Sequence, residues 1–146
     1  MNTTSQYDES CYWAIAGVLA DAQKGDPDAQ CAIGERHWFG DLIQQDLSRA
    51  VQWYQLAAQN GHTYAQCCLA YAYATGEGIR QDPIQAAHWY AMAARHNDLQ
   101  ALRSLATCYA QGFGVKRDLR KAFAILSKAL MQATGTPLNA GGFDRP

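Results

Sequence analysis

The chain repeats itself at a period of 36 residues, three times and without a gap, over residues 25–60, 61–96 and 97–132. A period of this length indicates one supersecondary unit that stacks on copies of itself and buries its core between neighbours. We call a set of equivalent positions in the three copies a column. Because alanine is abundant in this sequence, identical glycines or aspartates in a column are stronger evidence for the repeat than identical alanines. The columns identical in all three copies are Ala29/Ala65/Ala101, Gly40/Gly76/Gly112, Asp46/Asp82/Asp118, Ala50/Ala86/Ala122 and Ala57/Ala93/Ala129.

Each repeat predicts a helix, a turn and a second helix. The first helix begins after a capping residue (Asp26, His62 or Asp98) and ends at the constant glycine, which tolerates a left-handed backbone. The second helix begins at the constant aspartate and runs to Gly61 or to the equivalent Asn97. Small and apolar residues recur at helical spacing in both helices. The constant position of Trp53 and Trp89 predicts that they pack in the core rather than bind a ligand.

The segments outside the repeats are expected to differ from one another. Residues 1–9 are predicted to be a flexible N-terminus, and residues 10–24 a capping helix that resembles the second helix of a preceding repeat. Residues 133–146 are rich in Gly, Pro and Thr and predict an irregular tail. The last repeat helix is more apolar than a solvent-facing cap. We expect it to be covered by Leu138 or Phe143 of the tail, by a partner, or by a second copy in a homodimer.

Composition narrows the function classes. The chain has 146 residues, 49% of them apolar, and a net charge of −1, which is normal for one folded domain with no overall bias toward nucleic acid or membrane. Residues 1–60 hold eight acids and three bases, whereas residues 61–146 hold five acids and nine bases. The apolar run 11–20 lacks the basic start of a secretory signal, and no run reaches the ~20 apolar residues of a membrane span. We therefore expect a cytoplasmic protein with no membrane partner.

The cysteines are predicted to be free thiols. The sequence has five of them, with no spacing typical of a zinc site, so no metal or other cofactor is expected. Cys31 and Cys67 occupy the same column of adjacent repeats, and equivalent points on packed helices lie roughly 8–10 Å apart. A disulfide needs Cα atoms within about 7 Å. Reduced, buried thiols are the expected state.

The repeat resembles the Sel1-like family of TPR-like helical repeats. Repeat two shows the pattern most completely, with Gly76-Glu77-Gly78-Ile79, Asp82 and Trp89-Tyr90. Repeat three has Ile125-Leu126 in place of the Trp-Tyr pair. Repeat one has His37 in the tyrosine column and Leu42 at the second glycine, so its turn is expected to be rearranged. The resemblance implies an all-α fold, an α/α right-handed superhelical solenoid, and a role as an adaptor, a regulator or a toxin-immunity protein.

Catalytic motifs are not found. The glycines at 76–78 and 112–114 lack the third glycine and the lysine of phosphate-binding loops, and neither H-E-x-x-H nor G-x-S-x-G occurs. We therefore predict a non-enzymatic protein. Two alternatives stay open. One is a nucleic-acid-associated factor that uses the basic group at residues 116–121, although nucleic acid is the less favoured partner. The other is an enzyme that binds or hydrolyses β-lactams, as the resemblance allows, although the paired cysteines of such proteins are missing here.

The predicted site is a concave groove lined by the first helix of each repeat, where a protein or peptide would bind. Bulky aromatics at residues 38 and 39 stand where the other repeats have Ala74/Ala110 and Thr75/Gln111, and repeat packing does not require them. Aromatic residues beside acids are typical of interface anchors. The alternative is that these aromatics pack on the capping helix, against Tyr12 and Trp13. The predicted groove residues are Asp28, Glu35, Trp38, Phe39, Tyr64, Cys67, Tyr71, Arg103 and Thr107.

Overall fold

A computed structural model of the chain describes residues 9–135, with side chains from Trp13 onward. Predictions for residues 1–8 and 136–146, including the roles of Leu138 and Phe143, lie outside the described residues. Between these limits the chain is helical throughout, with short turns. The helices are α1 (Glu9–Gln23), α2 (Pro27–Phe39), α3 (Leu47–Gln59), α4 (Thr63–Thr75), α5 (Pro83–Ala94), α6 (Leu99–Gln111) and α7 (Leu119–Thr134).

The helix ends lie at the predicted capping residues. The side chains of Asp26, His62 and Asp98 accept hydrogen bonds from backbone N–H groups at the starts of α2, α4 and α6. We call α2, α4 and α6 the first helices. The constant glycines end them in the left-handed conformation. The second helices α3, α5 and α7 begin at the constant aspartates, each of which caps its own helix.

The turn of repeat one keeps the same geometry as the other two turns, so the expected rearrangement is wrong. Leu42 has a φ of 63°, close to the 73° and 70° of Gly78 and Gly114. The hydrogen bond that closes the turn, from Asp46 N to His37 O, is 2.9 Å long and recurs in both later repeats. A leucine in this conformation costs roughly 1–2 kcal/mol. The Leu42 side chain packs against the core cluster around Ile33, and this burial offsets the strain.

Glycine is required at the later turns because each lies directly against the preceding repeat. A Cβ at Gly114 would overlap the backbone carbonyl of Pro83, at the start of α5. A Cβ at Gly78 would overlap the carbonyl of Leu47, at the start of α3. The second glycine of the turn is therefore a contact between repeats as well as a bend.

The core lies between successive helices, as a stacked-repeat fold requires. Helices that follow one another along the chain pack together from α1 to α7. Ala50, Ala86 and Ala122 are at most 4% exposed, which lets the paired helices approach closely. Trp53 and Trp89 pack against the core clusters, as predicted. The all-α solenoid is confirmed, and its right-handed sense stays a prediction.

No helix within residues 9–135 combines the length and the apolar character that a membrane crossing requires.

Candidate functional site

A hollow of about 200 Å³ opens on the side of the molecule formed by the first helices. It brings together residues from α2, α4 and the start of α6, with tyrosines of α3 and α5 beneath them. Five of the predicted groove residues take part. The lining residues are Trp38, Phe39, Tyr54, Tyr64, Cys67, Cys68, Tyr71, Tyr90 and Gln100.

Trp38 packs toward the second repeat. Its ring centroid lies 6.0 Å from that of Tyr54 and 6.2 Å from that of Tyr71, within the range of favourable aromatic pairs. Its apolar contacts are with the cluster that joins α3 and α4. Packing of Trp38 and Phe39 on Trp13 of the capping helix is not what the structure has, since Trp13 is 75% and Phe39 70% exposed. The part of that alternative that involves Tyr12 lies outside the described side chains.

Three aromatic side chains at the rim face solvent. Phe39 is 70% exposed, Tyr64 51% and Tyr71 48%. They lie on two adjacent first helices, around the same hollow. Aromatic groups of this size contribute a large apolar area at a small cost in side-chain entropy, so they are suited to hold an apolar group of a partner.

A small polar group adjoins the hollow. The pKa of Tyr64 is raised above its usual range, first by the neighbouring Cys68 and by burial, and then by Glu35. Burial, followed by the neighbouring Cys68, raises the pKa of Tyr54. Glu35 therefore gives this part of the groove an acidic edge beside the aromatic rim.

A second hollow of about 280 Å³ adjoins the first, and the two share Tyr90. It lies one repeat further along the chain, between α4 and α6. The predicted groove residue Thr107 is in its wall, where its hydroxyl donates to the Arg103 carbonyl at 3.0 Å. The lining residues are Ala74, Tyr90, Ser104, Thr107, Cys108, Gln111 and Phe113.

Three predicted groove residues line neither hollow: Glu35, which lies beside Tyr64, and Asp28 and Arg103. The Asp28 carboxylate is 3.3 Å from Nε2 of His62, at the cap of α4, and its side chain is 88% exposed. Arg103 is an exposed residue of α6. Asp28 joins the first two repeats at their edge, and Arg103 faces the open end of the stack.

Sequence reasoning did not place Tyr54, Tyr90 and Cys68 in the site. Tyr54 and Tyr90 are the second members of the two Trp-Tyr pairs, and they are 2% and 8% exposed. Both side chains nevertheless line the hollow. A signal was present in the sequence, because a buried tyrosine needs a polar partner for its hydroxyl. Cys68 beside Tyr54 and Ser104 beside Tyr90 are polar neighbours on the facing first helices.

The thiols near the groove are protonated at neutral pH. The four cysteines with described side chains, Cys31, Cys67, Cys68 and Cys108, are free. Burial raises the pKa of Cys31 and Cys67 to about 12 and that of Cys68 to about 11. A reactive cysteine needs the opposite shift. Among residues 9–135, no cluster of His, Cys, Asp and Glu suited to a metal ion is found.

The basic group at the start of α7 is fully on the surface. Lys116, Arg117 and Arg120 are exposed and form no ion pair with any residue that the structure describes. Lys121 lies over the ring of Tyr109, with its Nζ atom 4.4 Å from the ring centroid. These cations are therefore available to an acidic group from outside.

Comparison with known proteins agrees with the repeat architecture. The family model described as "Sel1 repeat" matches residues 27–62, 63–98 and 99–133. One similar solved structure is a Sel1 repeat protein from Oxalobacter formigenes, at 30% identity and a TM-score of 0.80, over 84% of this chain and 50% of that one. Another is a protective antigen present in uropathogenic Escherichia coli strains and displaying an SLR fold. It shows 32% identity and a TM-score of 0.78, over 80% of this chain and 25% of that one.

This chain therefore spans half of the first of these proteins and a quarter of the second. No curated protein matches it.

Proposed function

The chain belongs to the Sel1 repeat family, and we propose that it is a non-catalytic member that binds another protein through the groove on its first helices. Proteins of this family are generally scaffolds for protein–protein interaction. The observation that carries the proposal is the pair of adjoining hollows, which share Tyr90 and have exposed aromatics at the rim of the first.

The size of the hollows favours a protein partner over a small molecule. Volumes of about 200 Å³ and 280 Å³ lie below the roughly 300–1,000 Å³ of typical small-molecule sites. Each is suited to one or two side chains of a partner. Because the hollows follow one another along the stack, a peptide or loop that crosses the first helices would place successive anchor residues in them. The partner's identity decides between an adaptor, a regulator and an immunity protein.

The state of the thiols supports a binding role and a reducing compartment. An enzyme that used a groove cysteine as nucleophile would need a lowered pKa, whereas burial raises the pKa of Cys67 and Cys68. Free, buried cysteines are typical of cytoplasmic proteins, so we place the protein in the cytoplasm.

The groove is tested by titrating the purified chain against a partner isolated on it. Phe39→Ala and Tyr71→Ala remove exposed side chains, so the helical circular-dichroism spectrum should stay unchanged. We expect each to weaken binding by about thirtyfold, the effect of losing an anchor worth about 2 kcal/mol. Trp38→Ala should act in the same direction, with some loss of stability.

The matched control is the double change Arg117→Ala/Arg120→Ala, which removes two exposed cations at the far end of the stack. It should change the affinity much less, because peripheral charges mainly alter the encounter rate. If the arginine pair abolishes binding while Phe39→Ala and Trp38→Ala have no effect, the groove is not the binding site.

A further inference from the structure

The last helix exposes a continuous apolar stripe. Its side chains recur at spacings of four, three and four residues, which places them on one helix face. Their exposed fractions are 57% for Leu119, 71% for Phe123, 46% for Leu126 and 48% for Leu130. We call these four residues the α7 stripe.

Three of these four columns are buried in the earlier repeats, and the Leu119 column is half-buried there, at Leu47 and Pro83. Phe123 is equivalent to Val51 and Ala87, which are 2% and 1% exposed. Leu126 is equivalent to the two buried tyrosines of the Trp-Tyr pairs, and Leu130 to two buried alanines. In each earlier repeat these positions share a core cluster with the first helix of the following repeat. The α7 stripe is therefore a stacking face that no helix within residues 9–135 covers.

A second position at this end of the stack is also suited to contact a following helix. Arg103 stands in the column of Cys31 and Cys67. Cys67 lies beneath the next repeat, and its Sγ is 3.6 Å from Oδ1 of Asp98, the capping residue of the following first helix. In repeat three the residue equivalent to Cys67 is the exposed cation Arg103, which is suited to bind an acidic residue at the start of a docked helix.

We propose that the α7 stripe docks an amphipathic helix of another protein that carries acidic residues, in the place where the first helix of a fourth repeat would lie. Its apolar face would cover Phe123, Leu126 and Leu130, and its acidic N-terminus would meet Arg103. The exposed cations Lys116, Arg117 and Arg120 near the stripe add to this charge complementarity.

The sequence and the charges favour a helix of another protein over a second copy of the chain and over a fourth repeat formed by the residues after Gly135. A second copy would present another α7, which carries cations but no Asp or Glu from Leu119 to Thr134, so it offers these cations no opposite charge. The residues after Gly135 do not continue the repeat, because Pro137 falls in the constant alanine column and Gly141 in the column of Ile33, Leu69 and Leu105. α7 itself runs to Thr134, past the position of Gly61 and Asn97 where the earlier repeats turn.

The test uses the full chain and a synthetic peptide with the sequence of residues 98–111, in which Cys108→Ala removes the thiol. An acidic version carries Gln100→Glu, Arg103→Glu and Gln111→Glu, and a basic version carries lysine at the same three positions. We expect saturable binding of the acidic peptide and at least tenfold weaker binding of the basic one. Leu126→Ala and Phe123→Ala in the protein should each weaken binding of the acidic peptide about tenfold or more.

The contact with Arg103 is tested by a double-mutant cycle. Asp98→Asn in the peptide should weaken binding to the wild-type protein, and it should have little effect on the Arg103→Ala protein. Phe39→Ala, in the groove, should bind the peptide as well as the wild type does. That control separates this proposal from the proposed groove, since either surface can fail without the other.

Four results would overturn the proposal. The first is the absence of saturable binding by the acidic peptide, or binding that Leu126→Ala leaves unchanged. The second is a dimer in sedimentation that Leu126→Ala dissociates, which would assign the stripe to a second copy. The third is a tenfold gain in peptide affinity after deletion of residues 136–146, which would assign it to the tail. The fourth is flotation with phosphatidylserine–phosphatidylcholine vesicles that Leu126→Ala abolishes, which would assign it to a lipid surface.

Discussion

Replacing Gly114 with alanine should separate the cost of a left-handed backbone from the cost of breaking a contact between repeats. Gly114 has a φ of +70°, and a Cβ there would overlap the backbone of Pro83 and lie 2.8 Å from the nitrogen of Ile84. The conformation alone costs an L-residue roughly 1–2 kcal/mol. The overlap is with backbone atoms, so it can be relieved only by shifting one repeat against the next, at a cost of about 1–3 kcal/mol.

Gly61→Ala is the matched control. Gly61 has a φ of +84°, and a Cβ there would meet no atom within 4 Å. We therefore expect a loss of roughly 1–2 kcal/mol for Gly61→Ala and about 2–5 kcal/mol for Gly114→Ala, measured by urea unfolding. At about 2–4 °C per kcal/mol for a chain of this size, the difference corresponds to about 2–12 °C in Tm.

Equal losses for the two variants would contradict the contact between Gly114 and the start of α5. They would mean that the turn of repeat three does not lie against α5 in solution, and that the repeats are less tightly stacked than the structure has them. A second sign of such loosening is a broadened transition, because a stack whose interfaces are weak no longer unfolds as one unit.

Two further predictions concern the core and the thiols. Ala86→Trp should cost roughly 1–3 kcal/mol or more, since Ala86 is 0% exposed between packed helices, and an unchanged urea midpoint would mean that the buried face is wrongly identified. Burial raises the pKa of Cys31 and Cys67 from 9.0 to about 12, so their stabilising contribution is present below pH 9 and is lost as the pH rises from 9 toward 12. Cys67→Ala should therefore flatten the fall in unfolding free energy above pH 9, and a slope identical to that of the wild type would contradict this. The same shifts predict slow alkylation at pH 7 and, by mass measurement, no Cys31–Cys67 disulfide in freshly isolated protein.

The fold could be predicted from the sequence because its determinants are local and occur three times. Capping aspartates, helix-ending glycines and constant alanines fall at the same places in every copy, so each repeat supports the interpretation of the others. Leu42 is the exception. The other two repeats have glycine at this position, so a leucine predicted a rearranged turn. Packing against Ile33 and its neighbours instead holds Leu42 in the left-handed conformation that glycine adopts in the other repeats. That contact depends on the tertiary structure, which periodicity does not reveal.

The site was predicted only in part, for a similar reason. Helical register placed Trp38, Phe39, Tyr64 and Tyr71 on one surface, and the structure brings them around one hollow. Helical register could not show that the side chains of Tyr54 and Tyr90 reach that surface from the second helices, because the repeat pattern assigns both positions to the core. It also placed Asp28, Glu35 and Arg103 in the groove, and these three line neither hollow.

A partner site on the first helices is tested most directly by photo-crosslinking from defined positions in the full chain. A photoreactive amino acid is placed at Phe39, on the rim of the first hollow, or at Gln52, an exposed position on the second helix α3. We expect a covalent adduct with the bound partner from position 39 and none from position 52. An adduct from position 52, with none from position 39, would contradict a partner site on the first helices.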